Sequence, residues 1–184
     1  MAKKSAGLLL FRYSSQAPGR IEVLLAHPGG PYWARKDDGA WSIPKGEIGE
    51  DEEPLAAARR EFEEEMGQPA EGEFLPLEPI KQPSGKLVLA WAVDCDFDPA
   101  TLESNTFSIE WPARSGRQAQ FPEVDRAAWF PIEAARQKIL KGQAPFLDQL
   151  LARVPATAPD ARPAVHDALP PPRRQRSLFD EPPR

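Results

Sequence analysis

Cysteine and histidine are nearly missing from this chain of 184 residues, which has one cysteine, Cys95, and two histidines, His27 and His166. A single thiol excludes an internal disulfide framework, and so few Cys and His residues exclude a zinc cluster built from them. Membrane-length apolar runs are absent too. The segment Gly7-Leu8-Leu9-Leu10-Phe11, behind Lys3 and Lys4, has the outline of a secretion signal. It is too short, lacks a small-residue cleavage site and passes directly into Arg12, so it reads as a first buried strand. No stretch reaches the ~20 apolar residues of a membrane span. Basic residues are the minority, 23 Lys and Arg against 28 Asp and Glu, for a formal charge of −5. General attraction to nucleic acid or an anionic membrane is therefore not expected. A reducing cytosol is the compartment these absences suggest.

Against these absences stands a hydrophobic content of 41%, enough for one globular domain with a core. The 22 prolines are unevenly spread, with eight of them in residues 155–184. That composition cannot bury enough apolar surface to offset the entropy of ordering. The expected organisation is a domain over residues 1–153 and a proline-rich, disordered tail over 154–184.

Strands are expected over Gly7–Arg12 and Ile21–His27, joined as a hairpin by the turn-rich Ser14–Gly19. Trp41-Ser42-Ile43 reads as a short strand ending at Pro44. Lys86–Val93 reads as a mostly buried strand, with shorter ones near Phe107–Trp111 and Ala127–Phe130. A helix is expected over Pro54–Met66. Asp51 or Glu52 would cap it, Pro54 fits the first turn, and Gly67 fits the left-handed position after its end. Leu55, Ala58, Phe62 and Met66 form its apolar stripe. Ile132–Leu140 and Pro145–Arg153 read as two closing helices.

The helix over 54–66 ends in Arg60-Glu61-Phe62-Glu63-Glu64-Glu65, four carboxylates at the negative end of the helix dipole, where they are disfavoured. Glu61 shares a face with Glu64 and Glu65, and like-charge pairs at these spacings cost on the order of 0.2–0.5 kcal/mol each. A divalent cation resolves the conflict, because Mg²⁺ uses hard oxygen ligands and completes its shell with phosphate oxygens and water. The same residues on their own are also compatible with an ordinary acidic surface.

The run from Gly46 to Gly67 resembles the Nudix box: Gly, five residues, Glu, seven residues, Arg-Glu, an aliphatic or aromatic residue, any residue, Glu-Glu, any residue, Gly. Gly46, Glu52, Arg60, Glu61, Phe62, Glu64, Glu65 and Gly67 match, while Gln68 departs from the aliphatic residue usual after the last glycine. The resemblance implies an α/β (α+β) fold, a Nudix-type α/β/α sandwich with a curved mixed sheet, over residues 5–150. It implies that Glu61, Glu64 and Glu65, with the Gly46 carbonyl, ligate Mg²⁺, for which Mn²⁺ could substitute. Arg60 would pair with Glu52, and the chemistry would be hydrolysis of a phosphoanhydride in a nucleoside diphosphate linked to another moiety.

Glu123, six residues before Trp129, is similar in placement to an acidic-loop residue of the dinucleoside-polyphosphate branch. It is a candidate base or metal-linked acid beside Glu61 and Glu64, with Glu110 next. The lead-in Pro44-Lys45-Gly46 resembles that of diadenosine-polyphosphate hydrolases, so Lys45 is a candidate phosphate contact. Tyr32, Trp33 and Trp41 are candidate base-stacking residues. Two branch indicators disagree: Gln82–Lys86 lacks the tyrosine of the diadenosine branch, and Pro83 matches the ADP-ribose branch. A non-catalytic nucleotide sensor and an RNA 5′-end pyrophosphohydrolase are the alternatives. In the tail, Gln175-Arg176-Ser177-Leu178-Phe179 resembles the bacterial sliding-clamp-binding pentapeptide, whose Leu-Phe pair would fill a hydrophobic groove.

Overall fold

The computed structural model describes residues 4–17, 19–82 and 85–155. Pro83, His166 and the Gln175–Phe179 motif lie outside the described residues, as does the tail from 156 onward. Strands β1 (Lys4–Tyr13) and β2 (Ile21–Pro28) pair antiparallel as the expected hairpin, with Phe11 opposite Val23. Strand β3 is Lys45–Glu47, and helix α1 is Pro54–Met66. Strands β4 (Phe74–Pro76) and β5 (Ile80–Lys81) flank β6 (Leu87–Asp94). Then come β7 (Thr106–Glu110), β8 (Gln118–Pro122), β9 (Val124–Pro131), and helices α2 (Ile132–Lys138) and α3 (Pro145–Arg153).

The main sheet runs β4-β6-β1-β2-β9, with β3 also on β1 and β5 on β6. It is mixed, because β6 runs parallel to β1 while the other pairs are antiparallel. Both faces are covered. Leu8 and Leu10 pack with Phe62 and Met66 of α1, whereas Leu9 and Phe11 pack with Phe146, Leu147 and Leu150 of α3. A strand buried on both faces reads as a continuous apolar run, which explains Leu8-Leu9-Leu10-Phe11. β7 and β8 form a separate two-stranded hairpin outside the main sheet. No described helix is long and apolar enough to cross a membrane.

Three expectations need correction. The cap of α1 is Glu53, whose Oε2 accepts from the Ala56 amide at 2.8 Å, rather than Asp51 or Glu52. Asp51 instead takes a positive φ of 63°, and Glu52 is held by Arg60. Trp41–Ile43 is no strand: Trp41 and Ser42 make only isolated bridges, and the pairing segment lies beyond Pro44, at β3. The second helix stops at Lys138, and Ile139 is extended.

Candidate active site

The box folds as strand, loop and helix against β1. Gly46 stands opposite Ala6, and α1 packs across the same strand edge. A Cβ on Gly46 would lie 1.7 Å from Oε2 of Glu61, so only glycine lets that carboxylate seat against the strand backbone. One residue earlier, the Lys45 amide donates to Glu65 Oε2 at 2.9 Å. Thus two carboxylates one helical turn apart lie against β3.

Arg60 organises the rest of the box. Its Nε and Nη2 donate to the two oxygens of Glu52 at 2.8 and 2.9 Å, a bidentate grip. Its Nη1 donates to Glu61 Oε1 at 2.8 Å and Glu64 Oε2 at 3.2 Å. Arg60, followed by the Gly49 amide, holds the Glu52 carboxyl down at about 2. The expected Arg60–Glu52 pair is therefore present. After α1, Gly67 takes φ 82°, and its amide donates to Glu63 O.

Glu123 reaches the box through two backbone links, and a third joins it to the loop after β2. The Asn105 amide donates to Glu64 O at 3.0 Å, the Glu123 amide to Asn105 O at 2.8 Å, and the Gly29 amide to Glu123 O at 2.9 Å. These bonds tie the last turn of α1, both feet of the β7–β8 hairpin and the loop after β2 into one frame. Burial raises the Glu123 carboxyl above its ordinary range, and the neighbouring charges of Glu61 and Glu64 add to this. Glu65 is pushed up to about 8, chiefly by burial. Lys45 opposes that rise, and Glu61 and Glu123 reinforce it. Glu61, Glu64, Glu65 and Glu123 therefore lie within one electrostatic field. A cleft of about 550 Å³, lined by Arg60, Glu64 and Asn105 among others, opens beside them.

No three acidic or imidazole groups among the described residues converge into a ready metal cage. Mg²⁺ does not require one: it takes one or two carboxylates and fills its octahedron with water and phosphate oxygens. The hard-oxygen donor set and the cradle at Gly46 fit such an ion.

Other expected site residues fall in different places. Lys45 is half-buried, and burial lowers its ammonium pKa while the charges of Glu65 and Glu61 oppose that fall. Trp41 corrects the base-stacking expectation. It is 4% exposed, edge-on to His27 and Phe130, and its Nε1 donates to Asp37, which leaves no open face for a base. Trp33 is half-buried, with the Lys36 ammonium 4.4 Å over its ring. Tyr32 is 61% exposed. Glu110 is spent at the hairpin tip, where Oε1 accepts from the Gly116 amide at 2.7 Å. His27 is a buried strand-end residue whose ring nitrogens face Asp125 Oδ1 and Lys36 O. The part of Asn105 had no sequence signal, because its backbone rather than its side chain makes both contacts.

The NUDIX domain model matches residues 2–150. The chain belongs to the Nudix family. Members of this family are hydrolases that act on pyrophosphate bonds and generally use a divalent metal. An 8-oxo-(d)GTP phosphatase of Mycolicibacterium smegmatis is 30% identical over 147 residues, covering 74% of this chain and 37% of that protein. The chain thus spans little more than a third of that relative's length. Among solved structures, the Ap4A hydrolase of C. elegans in a binary complex aligns with TM-score 0.54 and 24% identity, covering 82% of this chain and 96% of that one. The NUDIX domain of Shewanella oneidensis NrtR, complexed with ADP ribose, aligns with TM-score 0.58 and 16% identity over 83% and 88% of the two chains. These likenesses bear out the Nudix-type mixed sheet between helices.

Proposed function

We propose that this Nudix domain is a Mg²⁺-dependent pyrophosphohydrolase acting on a nucleoside diphosphate joined to another moiety, with dinucleoside polyphosphates as the favoured substrate class. The observation that carries this reading is the seating of two box carboxylates on β3, Glu61 against Gly46 and Glu65 on the Lys45 amide, with Glu64 joined to Glu61 through Arg60. Glu61, Glu64 and Glu65, with the Gly46 carbonyl, would hold the ion. When bound, it supplies Lewis acidity that screens phosphate oxygens and makes water a better nucleophile. Glu123, with its raised carboxyl affinity for a proton, accepts the proton of the attacking water. The water oxygen bonds to one bridging phosphorus, the P–O bond of the bridge breaks, and the departing phosphate takes the bonding electrons. Lys45, whose charge is coupled to those of Glu65 and Glu61, contacts a phosphate oxygen. Arg60 positions Glu61 and Glu64. The lone Cys95 suits a reducing cytosol.

The test is a panel of diadenosine polyphosphates, ADP-ribose, nucleotide sugars, oxidised dNTPs and 5′-triphosphate RNA, incubated with Mg²⁺ and resolved chromatographically. Glu64→Gln/Glu65→Gln runs alongside. Metal-dependent cleavage that the variant loses is the expected result. Tight binding of a nucleotide with no turnover by the folded wild type would instead make the domain a sensor.

A further inference from the structure

His27 is a fully buried polar side chain that none of the chemistry above uses. Its Nε2 lies 2.8 Å from the Lys36 carbonyl oxygen, and its Nδ1 lies 2.7 Å from Asp125 Oδ1. A carbonyl oxygen only accepts, so Nε2 carries a proton, and Nδ1 and the Asp125 carboxyl share one more between them. The ring meets Trp41 edge-on at 5.1 Å, and the Arg126 guanidinium lies 5.5 Å over that same Trp41 ring. Arg126 Nε also approaches Asp125 Oδ1, at 3.4 Å. Filling space alone would need only an apolar side chain at position 27, because a buried polar ring costs stability unless its nitrogens are satisfied.

The pair sits at a break in β9. Ala127 and Trp129 pack in the core beneath α1, whereas Ala128 and Phe130 pack in the core beneath α3, the alternation of a regular strand. Carried back along the chain, that alternation would place Val124 on the α3 side, yet Val124 is buried on the α1 side. The register explains the change. His27 stands opposite Arg126 and Pro28 opposite Val124, which leaves Asp125 with no residue across from it. One extra residue of this kind is a β-bulge, which bends the strand and re-aims what precedes it. An offset of one exchanges the faces of the side chains upstream, and the residue just upstream of Val124 is Glu123. On the far side of the bulge the Gly29 amide donates to Glu123 O at 2.9 Å, and a Cβ on Gly29 would lie 2.0 Å from the Pro122 carbonyl oxygen.

We infer that the His27–Asp125 pair is a positioning device for Glu123, holding the bulge in β9 whose offset sets that carboxylate beside the acids of the box. Asp125 is the extra residue, and its side chain is the one anchored on the buried ring. Through Lys36 O the same ring holds the loop after β2, so it links the two chain segments that meet in the Gly29–Glu123 bond. Both residues act through Glu123 rather than on substrate. The inference rests on the proposed role of Glu123 and names what keeps it in place.

The experiment compares the full chain as wild type, Asp125→Ala and Asp125→Asn, each alone and combined with Glu123→Gln. Asp125 is exposed, so truncating it tests the pair without opening a cavity in the core. Amide hydrogen exchange is read at Gly29, whose N–H donates to Glu123 O, and at Leu8, whose N–H donates to Pro44 O. Turnover of diadenosine tetraphosphate with Mg²⁺ gives kcat and KM. In Asp125→Ala, Gly29 should exchange about tenfold faster, the scale of one lost charged hydrogen bond, while Leu8 is unchanged. Its kcat should fall roughly 10–100-fold with KM within about twofold, as for a misplaced catalytic group. Asp125→Asn, whose amide can still donate to Nδ1, should recover most of both. With Glu123→Gln already present, Asp125→Ala should cost no further kcat. Faster exchange at Gly29 and Leu8 alike would make the pair a general stabiliser and overturn the inference. So would an unmoved Gly29, an Asp125→Asn as impaired as Asp125→Ala, or losses that multiply in the double variant. If Glu123→Gln keeps full kcat, or the wild type cleaves no substrate, the proposed role of Glu123 is lost. The exchange at Gly29 and Leu8 then decides by itself whether the pair positions that residue.

Discussion

At position 46 a side chain would overlap the Glu61 carboxylate, so the geometry of the candidate metal site depends on a missing atom. Gly46→Ala is expected to cost about 1–3 kcal/mol, as overpacking does elsewhere, and to depress activity more than stability. Thermal denaturation and a turnover assay check both, and a variant equal to wild type in each would refute the cradle. Glu123→Gln removes the proposed proton acceptor with little change of shape. Its kcat should fall by roughly 10²–10⁴-fold, the usual worth of a general base, at similar KM. An unchanged kcat would pass the role to a carboxylate of the box. The carboxylates of the box were legible from their spacing on one helical face. That Glu123 joins them was suggested by resemblance alone, and the physical link is two backbone hydrogen bonds through Asn105 that no residue type announces.

The helix α1 was readable as an element in all but its N-cap, because propensity, the terminal glycine and packing agree over its length. Pro54 opens it, Gly67 ends it at φ 82°, and Phe62 and Met66 fall on the buried stripe. Phe62→Ala should destabilise the domain by about 3–5 kcal/mol, as loss of a fully buried aromatic does, measured by denaturant titration. A cost under about 1 kcal/mol would mean that α1 packs loosely on the sheet. The short strands were less legible. β3 spans only Lys45–Glu47, with a glycine at its centre, and gains its conformation from pairing with Ser5–Gly7. β4 and β5 are likewise defined by β6 beside them, since two or three residues carry no period. Trp41 looked like a candidate stacking residue because aromatic chemistry is the same in a core and in a pocket. Only the packing of His27 and Phe130 on its ring distinguishes the two.

Across the whole molecule, crowding four carboxylates couples stability to pH and to metal. The Glu65 carboxyl binds its proton up to about 8 in the metal-free fold, against an ordinary 4.5. The folded state therefore holds more protons than the unfolded chain between those values, and stability falls as pH rises through that window. In EDTA the melting temperature should decline from about pH 5 to pH 8 relative to a Glu65→Gln variant, and Mg²⁺ should restore it by binding the folded state. A melting curve of the metal-free protein with the same pH dependence as Glu65→Gln would contradict the burial of that carboxylate.

Local spacing in the chain already implied the helix with its terminal glycine, the doubly buried first strand and the clustering of acids on one helical face. Each of these follows from local periodicity or from residue chemistry a few positions apart. Tertiary packing alone established which acids share a field, which aromatic stays open and how the feet of the β7–β8 hairpin are anchored. Those relations join residues 29, 64, 105 and 123, and they are made by backbone groups that every residue carries alike.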